Sequence, residues 1–579
     1  MKNTKTKNSE RLERFSELYN AALTAAQATM CELDTHMKQY LGDPSIDGSS
    51  EKASTVRNIT YEIIESEISP DVPSPKTDAE SYSEKREHNA RIVERLCEAV
   101  KAKLPFESLN DLDERYTYIY GGSIWYVEWD NSPLLNGDSG SVCVHCLSPE
   151  CFIPQPGVSE VECMDYCFLR FTTTKSELIR RYGVKESDLP LAECEYQYTR
   201  DGDLGDAVTV VTALWRDGDG DLCKFIFSGS LVLADVEKYY YRRASYCNSC
   251  LREESECKCE NRDTSELLLP YETVKREKLG EGFEDDIVLP YYIPTAFPIV
   301  IRTNTRAAGG ILGVSDCARI RPQQQAINKV ESRILQKLLR AGITPVMPED
   351  ANVTLNNSVF GQVIKLRPGE SVESYGKIDT TPDVSQDIAE AERLYDHAKR
   401  VIGISDALQG TDTTRAESGF ARQLKINRAT SRLESKRRIK YQTYARLYKL
   451  IFEHYLAFAD EGVVLDAKDV YGDSHAYSFS RYDFIEPDGA GGYKYNGAYL
   501  FSVDLNDGTE YGRETLWERN LSSLMSGTLG DPKLPETLLR YWQSQQRAHY
   551  PYARENVEYF KSLISEAKTK KQDKESEKV

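Results

Sequence analysis

Four cysteines, Cys247, Cys250, Cys257 and Cys259, lie in the stretch YCNSCLREESECKCE with the spacing C-x2-C-x6-C-x-C. Zinc needs four soft or borderline ligands in a tetrahedron, and four sulfurs close that tetrahedron with no open position for catalysis. The surrounding residues are polar and rich in Glu, with little apolar side chain to build a core. A short insert of that composition needs a staple, and a metal supplies one. Four surface thiols, or three sulfurs with one further ligand, are also compatible with the same residues.

A second group comprises Cys143, His145, Cys146 and Cys151, with Cys163 and Cys167 beyond. SVCVHCL has the pattern of a strand, in which Cys143 and His145 share one face and Cys146 takes the other. Buried or half-buried strand cysteines are the favoured reading. Asp217, Asp219 and Asp221 form a D-x-D-x-D run, but positions six and twelve of a calcium loop would be Gly and Glu. Here they are Leu222 and Ser228, so an acidic hairpin turn is expected.

The stretch Arg415–Lys449 carries eleven basic residues against Glu417 and Glu434, a net of +9 inside a chain of net charge -19. Arg415, Arg422, Lys425 and Arg428 lead it. Such a face either meets a polyanion, with salt-screened and sequence-independent contacts, or neutralises acidic neighbours. Both readings stay open on the residues alone.

The elements that must position these groups follow from periodicity and turn chemistry. Residues 8–41, 54–67 and 82–102 read as helices, with SPDVPSPKTD as a loop between the last two. YTYIYGGSIWYVEWD reads as a strand pair broken at Gly-Gly, and strand-like segments continue to about 243. TVVTALWRDGDGDLCKFIFSG is a hairpin. A helix is expected from Pro322 to Ala341, with Pro in the first turn, Gly342 as the stop and Ile327, Val330, Ile334 and Leu338 on one stripe. A β-type unit follows, then a helix over 383–402 stopped by Gly403. Thr414 and Glu417 fit a capping box for a helix reaching Ala459, roughly 68 Å long. The remainder mixes a hairpin region at 475–505 with helices near 511–527, 534–547 and 551–567, and ends in a charged tail with the composition of disorder.

Length and composition set bounds. The 579 residues allow a large core and several structural units. The acidic balance argues against a protein that coats nucleic acid. No apolar leader or span of ~18 apolar residues is visible, which points to cytoplasmic synthesis and to thiols or metal ligands over disulfides. P-loop, H-E-x-x-H and G-x-S-x-G motifs are absent from the sequence, so nothing marks an ATP motor, a zincin or a serine hydrolase.

GVSDCARIRPQQQAINKVESRIL, VIKLRPGESVESYG and VIGISDALQGTDTTRAESGFARQLKI occur in this order. With CFIPQPGVSEVECMDYCFLRFTTTKSELIRRYGV and SLMSGTLGDPKLPETLLRYWQSQQRAHYPYA, they resemble the portal proteins of tailed bacteriophages, siphovirus-type head-to-tail connectors. The resemblance covers roughly 55–565. It implies an α+β portal fold: an α/β wing (1–312 and 460–510, with the cysteine-rich insert at 244–265), stem helices within 313–342 and 382–403, and a clip at 343–381. It further implies a tunnel loop at 404–414, a long helix at 415–459 and crown-like helices within 511–579.

The implied function is a non-enzymatic ring, usually of twelve subunits, at one capsid vertex of the virion, assembled in the host cytoplasm. Double-stranded DNA passes through it non-specifically during packaging and ejection. The implied partners are other copies of the chain, the large terminase subunit, head-completion or adaptor proteins, and the major capsid and scaffolding proteins; no membrane is involved. Ser405, Asp406, Gln409, Gly410, Thr411, Asp412 and Thr413 would form the tunnel loop, with Arg415, Arg422, Lys425 and Arg428 facing DNA or a neighbouring subunit. The zinc-binding cysteines would be a structural staple on the wing. A zinc-dependent DNA-processing enzyme and another head or adaptor protein are the alternatives; the first needs an open metal site with His or carboxylate ligands.

Overall fold

A computed structural model describes residues 2–44, 56–81, 83–130, 140–189, 207–249, 259, 264–279, 283, 285–307, 310–339, 343–346, 376–379, 382–404, 419–460, 462–468, 474–489, 491–504, 510–547, 553, 556–557 and 559–564. The fold is mixed α+β with several small antiparallel sheets. Its helices are α1 (Lys2–Leu41), α2 (Ile59–Glu65), α3 (Glu84–Lys103), α4 (Phe106–Tyr120), α5 (Lys175–Tyr182), α6 (Asp316–Leu339), α7 (Ser385–Ile402), α8 (Gly419–Phe458), α9 (Glu510–Met525) and α10 (Pro535–Arg547).

A five-stranded antiparallel sheet contains Phe152–Pro154, Tyr166–Thr174, Ala207–Arg216, Leu222–Ser228 and Leu231–Val236 in chain order. Each strand pairs with the next strand in the chain. One face is covered by α1, whose Phe15, Tyr19 and Ala22 recur at helical spacing and pack on Phe168, Ala213, Phe225 and Phe227. The acidic hairpin turn is present as expected: Asp217 Oδ1 accepts from the amides of Asp219 and Asp221, both at 2.9 Å. Lys238 neutralises Asp219 and Asp221 at 3.0 and 3.1 Å.

A three-stranded sheet, Ile299–Thr303, Gly122–Asp130 and Ser141–Leu147, forms the centre of the largest core. The C-terminal half of α8 lies against it. Tyr444, Leu447, Tyr448, Ile451, Phe452 and Leu456 are fully buried there. The strand Ser141–Leu147 alternates as expected: Cys146 is buried, while Cys143 is half-buried and His145 exposed on the other face.

Three sequence expectations are corrected. YTYIY ends α4 and is not a strand. Its β-propensity yields to burial of Tyr118, Ile119 and Tyr120, and Gly121 stops the helix at φ 91 with its amide on Thr117 O. A Cβ on Gly121 would meet Gly313 O at 2.2 Å, so the Gly-Gly break allows a close backbone crossing.

SPDVPSPKTD is not all loop: Ser74–Ala79 pairs antiparallel with Tyr499–Asp504. This is a two-stranded sheet, in which Pro75 is tolerated because every strand is an edge. The helix expected from Pro322 begins at Asp316, with Pro322 in its second turn. The true start is Ser315, whose Oγ accepts from Ala318 N at 3.3 Å.

Helices α6 and α7 form an antiparallel hairpin. Lys337 pairs with Asp387 near the tip, and Gln323 meets His397 toward the base. Ile320, Ile327, Tyr395, Ala398 and Ile402 close the base against Ile59 and Ile63 of α2. The antiparallel strands Ile343–Val346 and Gly376–Asp379 stand between the two helices. Gly403 ends α7 at φ 97.

Candidate functional site

The cysteine insert is held at its neck. Strands Arg242–Cys247 and Thr264–Leu269 pair antiparallel, placing Cys247 opposite Thr264. Cys247 is fully buried and Cys259 half-buried, while Cys250 and Cys257 lie outside the described residues. The pairing sets Cys247 and Thr264, the two ends of the neck, side by side. In the second group burial raises the Cys143 and Cys146 thiols and pushes Cys151 up to about 11, so these are poor thiolate donors. Among the described residues the acidic cluster with ligand-like spacing is Asp217, Asp219 and Asp221, already satisfied by backbone amides and Lys238.

Ser405, Asp406, Gln409, Gly410, Thr411, Asp412, Thr413 and Arg415 all fall outside the described residues, as do Thr414 and Glu417 of the expected capping box. Arg422, Lys425 and Arg428 stand on α8, which is helical from Gly419. At ~100° per residue, positions 422, 425, 432, 436 and 440 fall on one stripe of that helix.

Lys436 and Lys440 are the part of this stripe whose surroundings are defined, and they do not face solvent. Lys436 Nζ lies 2.7 Å from Asp316 Oδ2 and 3.1 Å from Glu67 Oε2. One turn on, Lys440 Nζ lies 2.8 Å from Glu114 Oε1 and 2.7 Å from Asp71 O. Arg302 then bridges Glu114 at 2.8 Å and Asp113 at 2.5 Å, and Asp113 also accepts from Ser123 Oγ and Trp125 Nε1. Every ionic group of this network, from Glu67 and Asp316 to Arg302 and Asp113, is buried.

The hub therefore joins α2's exit, α4, the strand Ile299–Thr303, the first residue of α6 and α8. Lys436 also sits 4.9 Å from the Tyr118 ring centre, a cation–π contact. Sequence reading missed the hub, because its ionic members come from five separated segments. The excess of Lys and Arg in 415–449 was the one signal, and for Lys436 and Lys440 the acid-neutralising reading is the one observed.

The electrostatics follow from burial and pairing. Burial alone would raise the Glu114 carboxyl, but Arg302 and Lys440 outweigh it and hold it below the usual range. Burial depresses Lys440. Burial would also lower Lys436, yet Glu67 and Asp316 together raise it. Glu67 is driven well above the ordinary carboxylate range by burial and by its neighbour Asp316. Further along α8, Arg438, Arg446 and Lys449 are exposed and reach acids only at 3.7–3.9 Å, as weak solvent-screened pairs. Arg437 is exposed as well.

A groove of about 470 Å³ opens between α1, residues 152–158 and residues 310–318. Small side chains of α1, including Ala22 and Ala26, form one wall. Its ionisable lining is Glu32, His36 and Tyr120, and burial pushes the His36 imidazole down to about 4, so it is neutral at pH 7. The Ser315 hydroxyl there is committed to Ile119 O at 2.6 Å. This arrangement offers an apolar slot with one buried imidazole and no activated nucleophile.

No protein-family model matches this sequence, and no curated protein matches it as a relative. Among the described residues no helix is long and apolar enough to cross a membrane.

Proposed function

We propose that this chain is the subunit of a phage-type portal, a ring at one capsid vertex through which double-stranded DNA is packaged and ejected. The observation that carries the reading is the α6–α7 hairpin with what it leads into. Its base is packed on α2, and apolar side chains emerge toward its tip: Val330 and Ile334 are half-buried, and Leu338 is 51% exposed. Ile388 on the facing helix is 49% exposed. A β-type pair lies between the two helices in chain order, Gly403 caps α7 at φ 97, and α8 further on is about 60 Å long. A hairpin of this kind suits a stem whose apolar sides are covered by neighbouring copies in a closed ring.

In this reading α6 and α7 are the stem, the unit from 343 to 381 is the clip that docks the large terminase subunit and later head-completion proteins, and 404–414 is the tunnel loop. Residues 1–312 and 460–510 form the wing toward capsid and scaffolding proteins, with the last helices as a crown. The ring acts as a conduit and not as a catalyst. The acidic total keeps a polyanion sliding through the lumen and not gripped by it. Zinc is part of the proposal: Cys247, Cys250, Cys257 and Cys259 would hold it as a structural staple of the wing insert.

Light scattering with negative-stain imaging tests the assembly. Twelve chains of 65.7 kDa give a ring of about 790 kDa. A stable monomer with nuclease activity sinks the reading. Metal analysis after anaerobic purification tests the staple, for which about one zinc per chain is expected.

A further inference from the structure

The buried hub contains four carboxyls, Glu67, Asp113, Glu114 and Asp316, and three cations, Arg302, Lys436 and Lys440. With every group ionised it carries one uncompensated negative charge, which a buried site tolerates poorly. The geometry shows where the imbalance sits. Arg302 and Lys440 serve Asp113 and Glu114, leaving Lys436 alone between Glu67 and Asp316.

The Glu67 and Asp316 carboxyls meet on the one Lys436 ammonium, at 3.1 and 2.7 Å. Two carboxylates cannot bond, since both are acceptors only, whereas a carboxylic acid and a carboxylate can. Asp316 Oδ1 is buried and accepts no hydrogen bond from the groups around it. Asp316 is the first residue of α6, where the helix dipole favours the anion. The proton therefore belongs on Glu67.

We propose that the hub retains one proton on Glu67 at neutral pH, and that this proton bonds Glu67 to Asp316 and locks the start of α6 to α2 and α8. The lock holds the base of the α6–α7 hairpin against the long helix, so the orientation of the hairpin is coupled to proton occupancy. The inference rests on the packing of the single chain and stands apart from the portal reading.

The sign follows from the direction of the Glu67 shift. A carboxyl raised in the folded state contributes stability that is complete below its unfolded value and is lost as pH rises through its folded value. The surrounding titratable and charged groups are Tyr118, Asp113 and Glu114 of α4, Arg302 of its strand, Lys436 and Lys440 of α8, and Cys317 and Arg321 of α6 with His36 of α1 beside Arg321. Tyr118 and Cys317 are raised by burial. Lys440, lowered by burial, acts in the opposite direction at high pH. Comparison with an isostere at residue 67 cancels these shared contributions.

The test uses the purified full-length chain at fixed concentration. Thermal midpoints of wild type and Glu67→Gln are measured from about pH 6 to about pH 9, alongside infrared spectra in the carboxylic-acid carbonyl region. Wild type should lose several degrees as pH rises, while E67Q, whose amide still donates to Asp316, should lose markedly less. The infrared band of a protonated carboxyl should be present in wild type at neutral pH and absent from E67Q. Asp316→Asn leaves three carboxyls against three cations, so the band should vanish there too, which keeps the test decisive if E67Q folds poorly. Equal pH slopes in wild type and E67Q, or a neutral-pH spectrum without a band removed by either variant, overturns the proposal.

Discussion

The C-terminal half of α8 and the α6–α7 hairpin are both built from helices with an apolar stripe, but only one stripe is closed. On α8, Tyr444, Leu447, Tyr448, Ile451, Phe452 and Leu456 are sealed by α3, the three-stranded sheet and the strand Tyr499–Asp504. Tyr448 and Tyr444 even find partners for their hydroxyls, at Pro73 O and Asn110 Oδ1. On the hairpin, Ile320 and Ile327 are sealed at the base, and exposure grows along the same stripe to Leu338. The first region is complete within one chain. The second leaves apolar side chains that none of the other described residues covers. Sequence periodicity is the same in both; the number of neighbouring elements differs.

Replacement of Phe452 by Ala should strike hardest, since its ring packs on Phe479, Phe484 and Tyr499. A loss of about 3–5 kcal/mol is expected from denaturant unfolding, and a loss below about 1 kcal/mol would show that this stripe is not closed as described. Arg302→Met is close behind. It leaves Asp113 buried with no cation and Glu114 with Lys440 alone, at a cost of about 3–5 kcal/mol. Equal stability of R302M and wild type at pH 7 would mean that the hub is wet.

Acid should weaken the α8 region before it weakens the hairpin. His454 is fully buried and burial pushes it down to about 4, so the folded chain resists protonating it. Stability from neutral His454 is present above the unfolded value near 6.5 and is lost as pH falls toward 4. Hydrogen exchange against pH should show α8 amides opening over this window while those of α7 change less.

The smallest effect on the chain itself should come from Leu338→Asp combined with Ile388→Asp. Both sites are about half exposed, so single-chain stability should change by no more than about 1 kcal/mol. On the proposed ring reading, assembly should fall sharply, read as loss of the large species in light scattering. A ring that forms equally well in this double variant would remove the hairpin from the subunit interface.

The sequence displayed its local features well. The Ala207–Ser228 hairpin, α7 with its Gly403 stop, and the two faces of Ser141–Leu147 were all legible, because periodicity and turn residues act over a few positions. Boundaries were less legible where a distant partner decides them. Pro322 marked a helix start on local grounds, yet Ser315 caps α6 because its hydroxyl can also donate to Ile119 O. Ser74–Ala79 is extended because a strand four hundred residues away accepts it.

The sequence by itself determined the order of elements, the acidic balance with one basic segment inside it, and the cysteine spacing. Only the tertiary structure decided that Lys436 and Lys440 face buried acids, and that Glu67 and Asp316 share one cation. Charge composition is a property of the chain, but compensation of charge is a property of space. Coulomb attraction strengthens only when water is excluded, and the five segments that bring these charges together meet only in the folded state.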